Sequence, residues 1–431
     1  MNNPDDPQSA SFNARVLQPA NRAALVAAVA AIESYPDAVE RVAAKAYHRL
    51  LRLDRVSPHA AMLLKQELLA LNGDALIAPE VYLGTAAEPT PVLAWASERG
   101  WKALCQKLGQ LPLPALQRIG QAITAALETV EDLDRGELRV GGRVWRWGER
   151  TLIMGIVNIT PDSFSGDGLL RDTSQTRIAE QIGGFAQARA DIIDIGGEST
   201  RPGAAAVSVD EELARVIPAV NIARQHSDLP ISVDTYKAEV ARQALDAGAD
   251  LINDIWGLRT PEGGWNVELA RLVAERGAPI VLMHNRRAAV ATTEQTAHFA
   301  NVEYQDLAAD VMDSLRASIA FAFDHGIAPG NIILDPGIGF GKTPAQNIEL
   351  LQHLPELRAL GYPLLIGTSR KSFIGLVLDK PADERVLGTA ATVSHAIQGG
   401  ADIVRVHDVA AMVDVCRMSD ALVRRNPLLN R

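Results

Sequence analysis

Cysteine is nearly absent from this chain: Cys105 and Cys416 are the only two among 431 residues, and neither stands in a paired-ligand spacing. A disulfide framework and a thiolate metal site are therefore excluded. No apolar stretch reaches membrane-spanning length, so no transmembrane helix is expected. Runs of Lys or Arg are missing too, and a net charge of −10 argues against a general nucleic-acid surface. The first residues, MNNPDDPQSA, are polar and acidic where a secretory signal is basic and then apolar. Together these absences predict a cytoplasmic chain with neither a membrane nor a nucleic-acid partner. The length implies two or more domains.

What is present is one repeated event. In LIMGIVNITPDSF, residues 152–164, an apolar run delivers Asn158, Thr160 and Asp162 to the point where Pro161 breaks it. Alone, a strand followed by an ordinary Asx or Pro turn reads equally well. Apolar runs closed by a polar or charged residue recur, however, at 191–196, 230–234, 250–254, 279–284, 331–335, 363–367 and 402–407, which makes eight. Most stretches between them carry helical apolar spacing, as at 239–247 and 266–276. Eight such units in roughly 280 residues match a (β/α)8 TIM barrel, which keeps its chemistry at the C-terminal ends of its strands. A doubly wound open sheet uses the same alternation but needs polar groups only near its switch point. Because nearly every run here ends in one, the barrel is preferred.

The expected fold class is therefore α/β: a (β/α)8 barrel over 138–431 preceded by a smaller α/β domain over 13–137, with 1–12 as a disordered tail. Just ahead of the barrel, 138–140 and 143–147 flank Gly141 and Gly142, whose tolerance of positive φ suits the tight turn of a hairpin. Such a hairpin is placed to cover the barrel's N-terminal end. In the smaller domain, strands are expected at 14–17, 50–56, 75–83 and 92–96. Helices are expected over the Ala-rich 21–32 and from the cap Ser57 and Pro58 to the stop at Asn72 and Gly73. Tyr82, Trp95 and Trp101 are assigned to its core. The acidic stretch 131–137 reads as a linker or a solvated helix end.

The barrel mouth carries two kinds of group. Gly196, Gly197, Glu198, Ser199, Thr200, Arg201, Pro202 and Gly203 follow the second run, where convergent backbone N–H groups, a hydroxyl and a forked cation suit a phosphate or carboxylate. A flexible loop is the alternative. Thr368, Ser369, Arg370, Lys371 and Ser372 follow the seventh run, and Arg405 with His407 ends the eighth, the region where barrels build phosphate sites. Facing this anion rim are Asp234, Asn253, Asp254 and Asp335. An Asp carboxylate accepts two parallel hydrogen bonds from an amidine-like edge, and Asn both donates and accepts. Asp234 and Asp335 thus point to a flat nitrogen heterocycle, whereas Asp254 reads as a structural partner for a nearby Lys or a helix N-cap.

Two features are set aside. The stretch from Gly337 to Lys342 mimics a nucleotide P-loop but is one residue short, because Pro336 occupies the place of its first glycine. Lys342 therefore reads as a loop anchor. His284 has no partner at i+4 and reads as a satisfied barrel-end histidine rather than a metal ligand.

In order and spacing, GIVNITPDSF, DIGGESTRPGA, SVDT, INDI, LDPGIGFGK, GTSRKSFIG, GTAA and VRVHDV resemble the dihydropteroate synthases over essentially all of 150–431. The resemblance implies a transferase that joins p-aminobenzoate to 6-hydroxymethyl-7,8-dihydropterin pyrophosphate, releases pyrophosphate and requires Mg²⁺. Carried across residue by residue, it makes Asn158 the metal ligand and assigns the pyrophosphate to Thr200, Arg405 and His407. The pterin falls to Asp234, Asn253, Asp335 and Lys371, with Ile255, Met283 and Phe340 on its faces. Phe164, Arg201, Pro202 and Ser372 border p-aminobenzoate, and Asp234, Asp335, Lys371 and Arg405 are the expected catalytic residues. Relatives pair as homodimers through helices late in the barrel, and the Ala-rich 386–397 is compatible with that. Two departures stand out: MHNRR after the fifth run, where many relatives continue with a residue and a glycine, and the N-terminal domain, which is expected not to be catalytic. A pterin-binding methyltransferase barrel and a non-catalytic pterin-binding relative remain the alternatives.

Overall fold

The computed structural model describes residues 15–19, 21–33, 35–131, 136–159, 168–199, 207–286 and 303–424. The chain divides into two compact units, Met1–Glu131 and Asp132–Arg431. Among the described residues, no helix is long and apolar enough to cross a membrane.

The N-terminal unit begins with α1 (Arg22–Ala30), α2 (Pro36–Ala46), β1 (His48–Val56) and α3 (Pro58–Ala70). It continues with β2 (Asp74–Leu76), α4 (Pro79–Tyr82), β3 (Thr90–Ser97), α5 (Glu98–Gln110) and α6 (Pro114–Glu131). The strands form an antiparallel sheet in the order β1-β3-β2. Capping explains the helix starts: Asn21, Ser57 and Ser97 each accept a backbone N–H from the first turn that follows them. The expected strand over 75–83 ends at Leu76, because Pro79 has no N–H for a ladder and instead opens α4. Residues 15–17, part of the expected first strand, carry no regular structure, and the expected tail lies outside the described residues. Of the three aromatics assigned to the core, Trp101 is buried, but Tyr82 and Trp95 are exposed.

The second unit opens with the hairpin β4 (Glu137–Val140) and β5 (Arg143–Arg146), turned by Gly141 and Gly142 at φ 53° and 73°. Eight parallel strands follow: β6 (Leu152–Asn158), β7 (Ile192–Gly196), β8 (Ile231–Asp234), β9 (Leu251–Asp254), β10 (Ile280–Met283), β11 (Ile332–Asp335), β12 (Leu365–Ile366) and β13 (Ile403–Val406). Their order is sequential from β6 to β11, with β13 pairing both β6 and β12. A bridge between Leu334 and Leu364 joins the β11 and β12 sides and closes the ring. Around it run α7 (Gly168–Gln187), α8 (Val209–His226), α9 (Ala238–Asp246), α10 (Val267–Arg276), α11 (Leu307–Asp324), α12 (Pro344–Gln352) and α13 (Leu354–Leu357). The last three helices are α14 (Ser372–Leu378), α15 (Val386–Gln398) and α16 (Val409–Val423).

Alternation along the strands sorts the side chains. Ile193, Ile195, Ile231, Val233 and Ile252 belong to the layer shared with the helices, while Leu152, Ile192, Leu251, Val281, Ile333, Leu365 and Ile403 form a separate cluster inside the ring. Leu138, Val140, Trp145 and Trp147 of the hairpin region belong to that inner cluster, so the hairpin stoppers the N-terminal end. Each such buried side chain contributes about 1.5–3 kcal/mol.

Candidate active site

Two residues above that apolar floor, the same inward alternation presents polar groups. On β7, Ile192 is followed inward by Asp194 and then by Gly196 at the rim. On β9, Leu251 gives way to Asn253, on β11 Ile333 to Asp335, and on β13 Ile403 to Arg405. Register sets neighbours side by side: Asn158 is opposite Gly196, Gly196 opposite Asp234, Asp234 opposite Asn253, and Met283 opposite Asp335. A period of two in eight strands thus converts residues far apart in sequence into one polar layer.

Arg405 is the hub. Its Nε donates to Asp194 Oδ2 at 2.6 Å and its Nη2 to Asp234 Oδ2 at 2.7 Å. Asn253 donates from Nδ2 to the same Asp194 oxygen at 3.3 Å. Burial pushes Asp234 up to about 7 even against the charge of Arg405. For Arg405, burial opposes the charge, but Asp194 and Asp234 hold its pKa above the ordinary arginine value. Asp335 is raised by burial, with Lys371 pulling the other way, and its Oδ1 accepts the Gly337 N–H at 2.7 Å.

The loop after β11 is built around close backbone approach. Gly337 has φ 70°, and a Cβ there would lie 1.9 Å from the His284 carbonyl oxygen. Lys342 turns inward, 1% exposed, donating to Gly337 O at 2.9 Å and Phe340 O at 3.2 Å and meeting His284 Nδ1 at 2.9 Å. It anchors the loop and does not face a nucleotide. His284 was expected to be satisfied, yet its Nε2 has no hydrogen-bond partner among the described residues. Burial, with the charge of Lys342, holds its pKa well below the usual histidine range, so it is neutral. On the mouth side of the loop, Lys371 Nζ donates to Ile338 O and stands 4.9 Å from the Phe340 ring centre. The His407 backbone N–H donates to Ser369 Oγ at 3.1 Å and its Nδ1 meets the same hydroxyl at 3.0 Å.

Beside the mouth, Lys237 ties Glu198 to Val207. Its Nζ donates to Glu198 at 2.6 Å, to the Val207 carbonyl at 2.6 Å and to Glu212 at 2.5 Å. Arg215 adds a bond to Gly197 O at 2.8 Å. Asp254 is a structural acceptor, but at a turn rather than at a lysine or a helix start: its two oxygens accept the N–H groups of Trp256 and Leu258 at 2.8 and 2.6 Å, and burial pushes it up to about 7.

Of the residues named from sequence, the structure gathers Asn158, Asp234, Asn253, Met283, Asp335, Lys371, Arg405 and His407 at the C-terminal ends of the strands or the loops leaving them. Ile255 directly follows β9, Phe340 is buried in the loop after β11, and Ser372 opens α14 on an exposed turn. Phe164, Thr200, Arg201 and Pro202 lie outside the described residues. Asp194 was missed, although a charged residue in the middle of the buried run IIDIG was a usable signal. The clamp of Lys237 on Glu198 and Glu212 was also missed.

A closed (β/α)8 barrel thus carries, at the C-terminal ends of its strands, a guanidinium shared by two carboxylates beside Asn253, Asp335 and Lys371. The sequence matches the profile of the family described as pterin binding enzyme over residues 154–407. It is 50% identical over 299 residues to dihydropteroate synthase of Synechocystis sp., covering 69% of this chain and 99% of that one. The structure of dihydropteroate synthase from Xanthomonas albilineans in complex with 7,8-dihydropteroate aligns with a TM-score of 0.57 at 40% identity, covering 67% of this chain and 98% of that one. A probable bifunctional folylpolyglutamate synthase/dihydropteroate synthase of Haloferax volcanii is 39% identical over 402 residues, covering 91% of this chain and 45% of that protein. That alignment is longer than the barrel unit, so it extends into the N-terminal unit. This chain belongs to the dihydropteroate synthase family of pterin-binding enzymes.

Proposed function

We propose that this chain condenses 6-hydroxymethyl-7,8-dihydropterin pyrophosphate with p-aminobenzoate, giving 7,8-dihydropteroate and pyrophosphate. The observation that carries the reading is the buried charge layer in one barrel mouth: Arg405 held between Asp194 and Asp234, with Asn253, Asp335 and Lys371 around it. The family relationship supports the choice of substrates.

In this reading the pterin edge pairs with Asp234, Asn253 and Asp335, its faces pack on Ile255, Met283 and Phe340, and Lys371 closes the pocket over Phe340. Arg405, His407 and Thr200 take the pyrophosphate. Negative charge grows on the leaving group, so donors aimed there stabilise the transition state more than the ground state. Departure leaves a cationic pterin methylene, which an ionised Asp234 or Asp335 stabilises. The aniline nitrogen is already nucleophilic towards such a cation, so no strong general base is needed. Phe164, Arg201, Pro202 and Ser372 orient p-aminobenzoate.

The donor set at the rim fits Mg²⁺, which takes one or two protein oxygens and completes its shell with water and substrate phosphate. Asn158, ending β6 opposite Gly196, offers one hard, neutral carboxamide oxygen. When bound, the ion supplies charge neutralisation at the departing pyrophosphate. The functional unit is a homodimer; Leu376 and Val377 on α14 and Leu387 on α15, exposed at 69%, 66% and 76%, support pairing through these helices.

The test is incubation with the pterin pyrophosphate, p-aminobenzoate and Mg²⁺. Pyrophosphate release that depends on the arylamine is expected. Pterin binding without that release overturns the reading in favour of a methyltransferase barrel or a non-catalytic relative.

A further inference from the structure

Arg405 touches its two carboxylates with different nitrogens, at different depths. Asp194 is completely buried, one inward position below Gly196, whereas Asp234 is opposite Gly196 at the rim, and its side chain is 11% exposed. Removing one partner of a buried ion pair strands the other charge without compensation. The Nε end of Arg405 is therefore bound to stay with Asp194, whose other oxygen, Oδ1, has no hydrogen-bond partner among the described residues. The Nη end is different. Its partner Asp234 stands where a ligand can replace it, and burial has already weakened the ionised form of that carboxylate.

We propose that Asp194 is the positioning residue of the leaving-group arginine: it acts as a pivot on which Arg405 turns its Nη atoms from Asp234 to the pyrophosphate. This deepens the synthase reading and rests on it. As the guanidinium fork turns, Asp234 is released with both oxygens available to the amidine-like edge of the pterin. Arrival of the anion and recognition of the ring are thereby coupled through one side chain. Asn253, donating to the same Asp194 oxygen, is held in register with that motion. In this reading Asp194 acts on the reaction chiefly through Arg405, its shorter and charged partner, with the longer bond from Asn253 secondary.

A double-mutant cycle reads this directly. Asp194→Asn keeps the shape of the side chain and removes its charge. It is expected to lower kcat at least tenfold with the KM for p-aminobenzoate within twofold, and to lower the residual kcat of the Arg405→Ala enzyme by less than twofold. An equal loss in both backgrounds reveals a merely structural role and overturns the proposal, as does an unchanged kcat in the single variant. If Asp194→Asn does not fold, crystal structures of the wild-type enzyme with and without inorganic pyrophosphate decide the matter. The contact of Nε with Asp194 is expected to persist while that of Nη2 with Asp234 is lost; Arg405 leaving Asp194, or remaining on Asp234 with pyrophosphate bound, overturns the pivot. Failure of the synthase reading is distinguishable, because the wild-type chain would then release no pyrophosphate on adding the arylamine.

Discussion

The two ends of the barrel use the same chemistry, arginine against aspartate, to opposite effect. At the N-terminal end, Asp191, Asp250 and Asp402 each stand just before a strand and accept the N–H of Ile153, Ile231 and Leu364 on a neighbouring chain segment. Each is also ion-paired with its own arginine: Arg150, Arg224 and Arg424 respectively. Every such carboxylate thus has a backbone donor and a cation. At the C-terminal end, one arginine serves two carboxylates, one oxygen of Asp194 has no partner among the described residues, and Asp234 is pushed up to about 7. Polarity satisfied within the protein holds strands in place. Polarity left under-satisfied is what a substrate completes, at some cost to the empty fold.

The largest expected effect comes from neutralising the rim carboxylate. Asp234→Asn cannot accept two hydrogen bonds, so kcat/KM for the pterin pyrophosphate should fall about a hundredfold, close to 3 kcal/mol for charged hydrogen bonds. Stability should move the other way. The folded pKa of Asp234, about 7, lies above its unfolded value near 4, so the native state holds that proton more tightly than the unfolded chain does. The associated stability is fully present below about pH 4 and is lost as pH rises through about 7. An uncharged Asn removes that loss, so the variant should gain on the wild type between pH 5 and pH 8 in urea melts. A variant that loses stability relative to the wild type over that interval contradicts the contrast between the two ends.

The mirror experiment is made at the floor. Asp250 Oδ2 accepts the Ile231 N–H at 2.8 Å and pairs with Arg224, and its Oδ1 lies under the Gly141 turn of the hairpin. Asp250→Ala leaves the Ile231 N–H without its acceptor and Arg224 Nη2 without its carboxylate, while the rest of that guanidinium keeps the Gly248 and Leu229 carbonyls; the change should cost about 2 kcal/mol of stability. Both KM values should stay within twofold, because no group at the mouth changes. A raised KM for the pterin substrate in a folded Asp250→Ala enzyme would show that the ends are not independent.

How much of this was legible in the sequence follows from the range of the interactions. Each barrel strand announced itself locally by an apolar run, four of them closing on Asn158, Asp234, Asp254 and Asp335, and the hairpin by its two glycines. The aspartates that open the runs at 191, 250 and 402 were visible only as boundaries, since their role depends on segments that meet after the ring closes. Asp194 stood in plain sight inside IIDIG, but its partner Arg405 is 211 residues further on, and inward-facing positions are defined only by closure. In the N-terminal unit α2, α5 and α6 were not anticipated. The apolar run at 75–83 looked like one strand because its composition, unlike Pro79, does not report where the backbone must stop pairing.

The smallest effect tests a place where internal ion pairing serves the mouth. Lys237 bonds Glu198 and the Val207 carbonyl, so a single ammonium ties together residues that stand on either side of Thr200, Arg201 and Pro202 in the sequence. Burial disfavours its charge, yet Glu198 and Glu212 hold its pKa above the ordinary lysine value, so it is a permanent cation. Lys237→Arg keeps the charge but replaces a compact three-way donor with a planar fork. The fold should be retained with little change in the urea midpoint. The KM for p-aminobenzoate should rise about two- to fivefold, a change of about 0.5–1 kcal/mol by the tenfold-per-1.4 kcal/mol relation, with the KM for the pterin substrate unchanged. If the two KM values rise together, the clamp supports the whole mouth rather than the second loop, and the division between structural and functional charge has to be drawn one residue closer to Asp234.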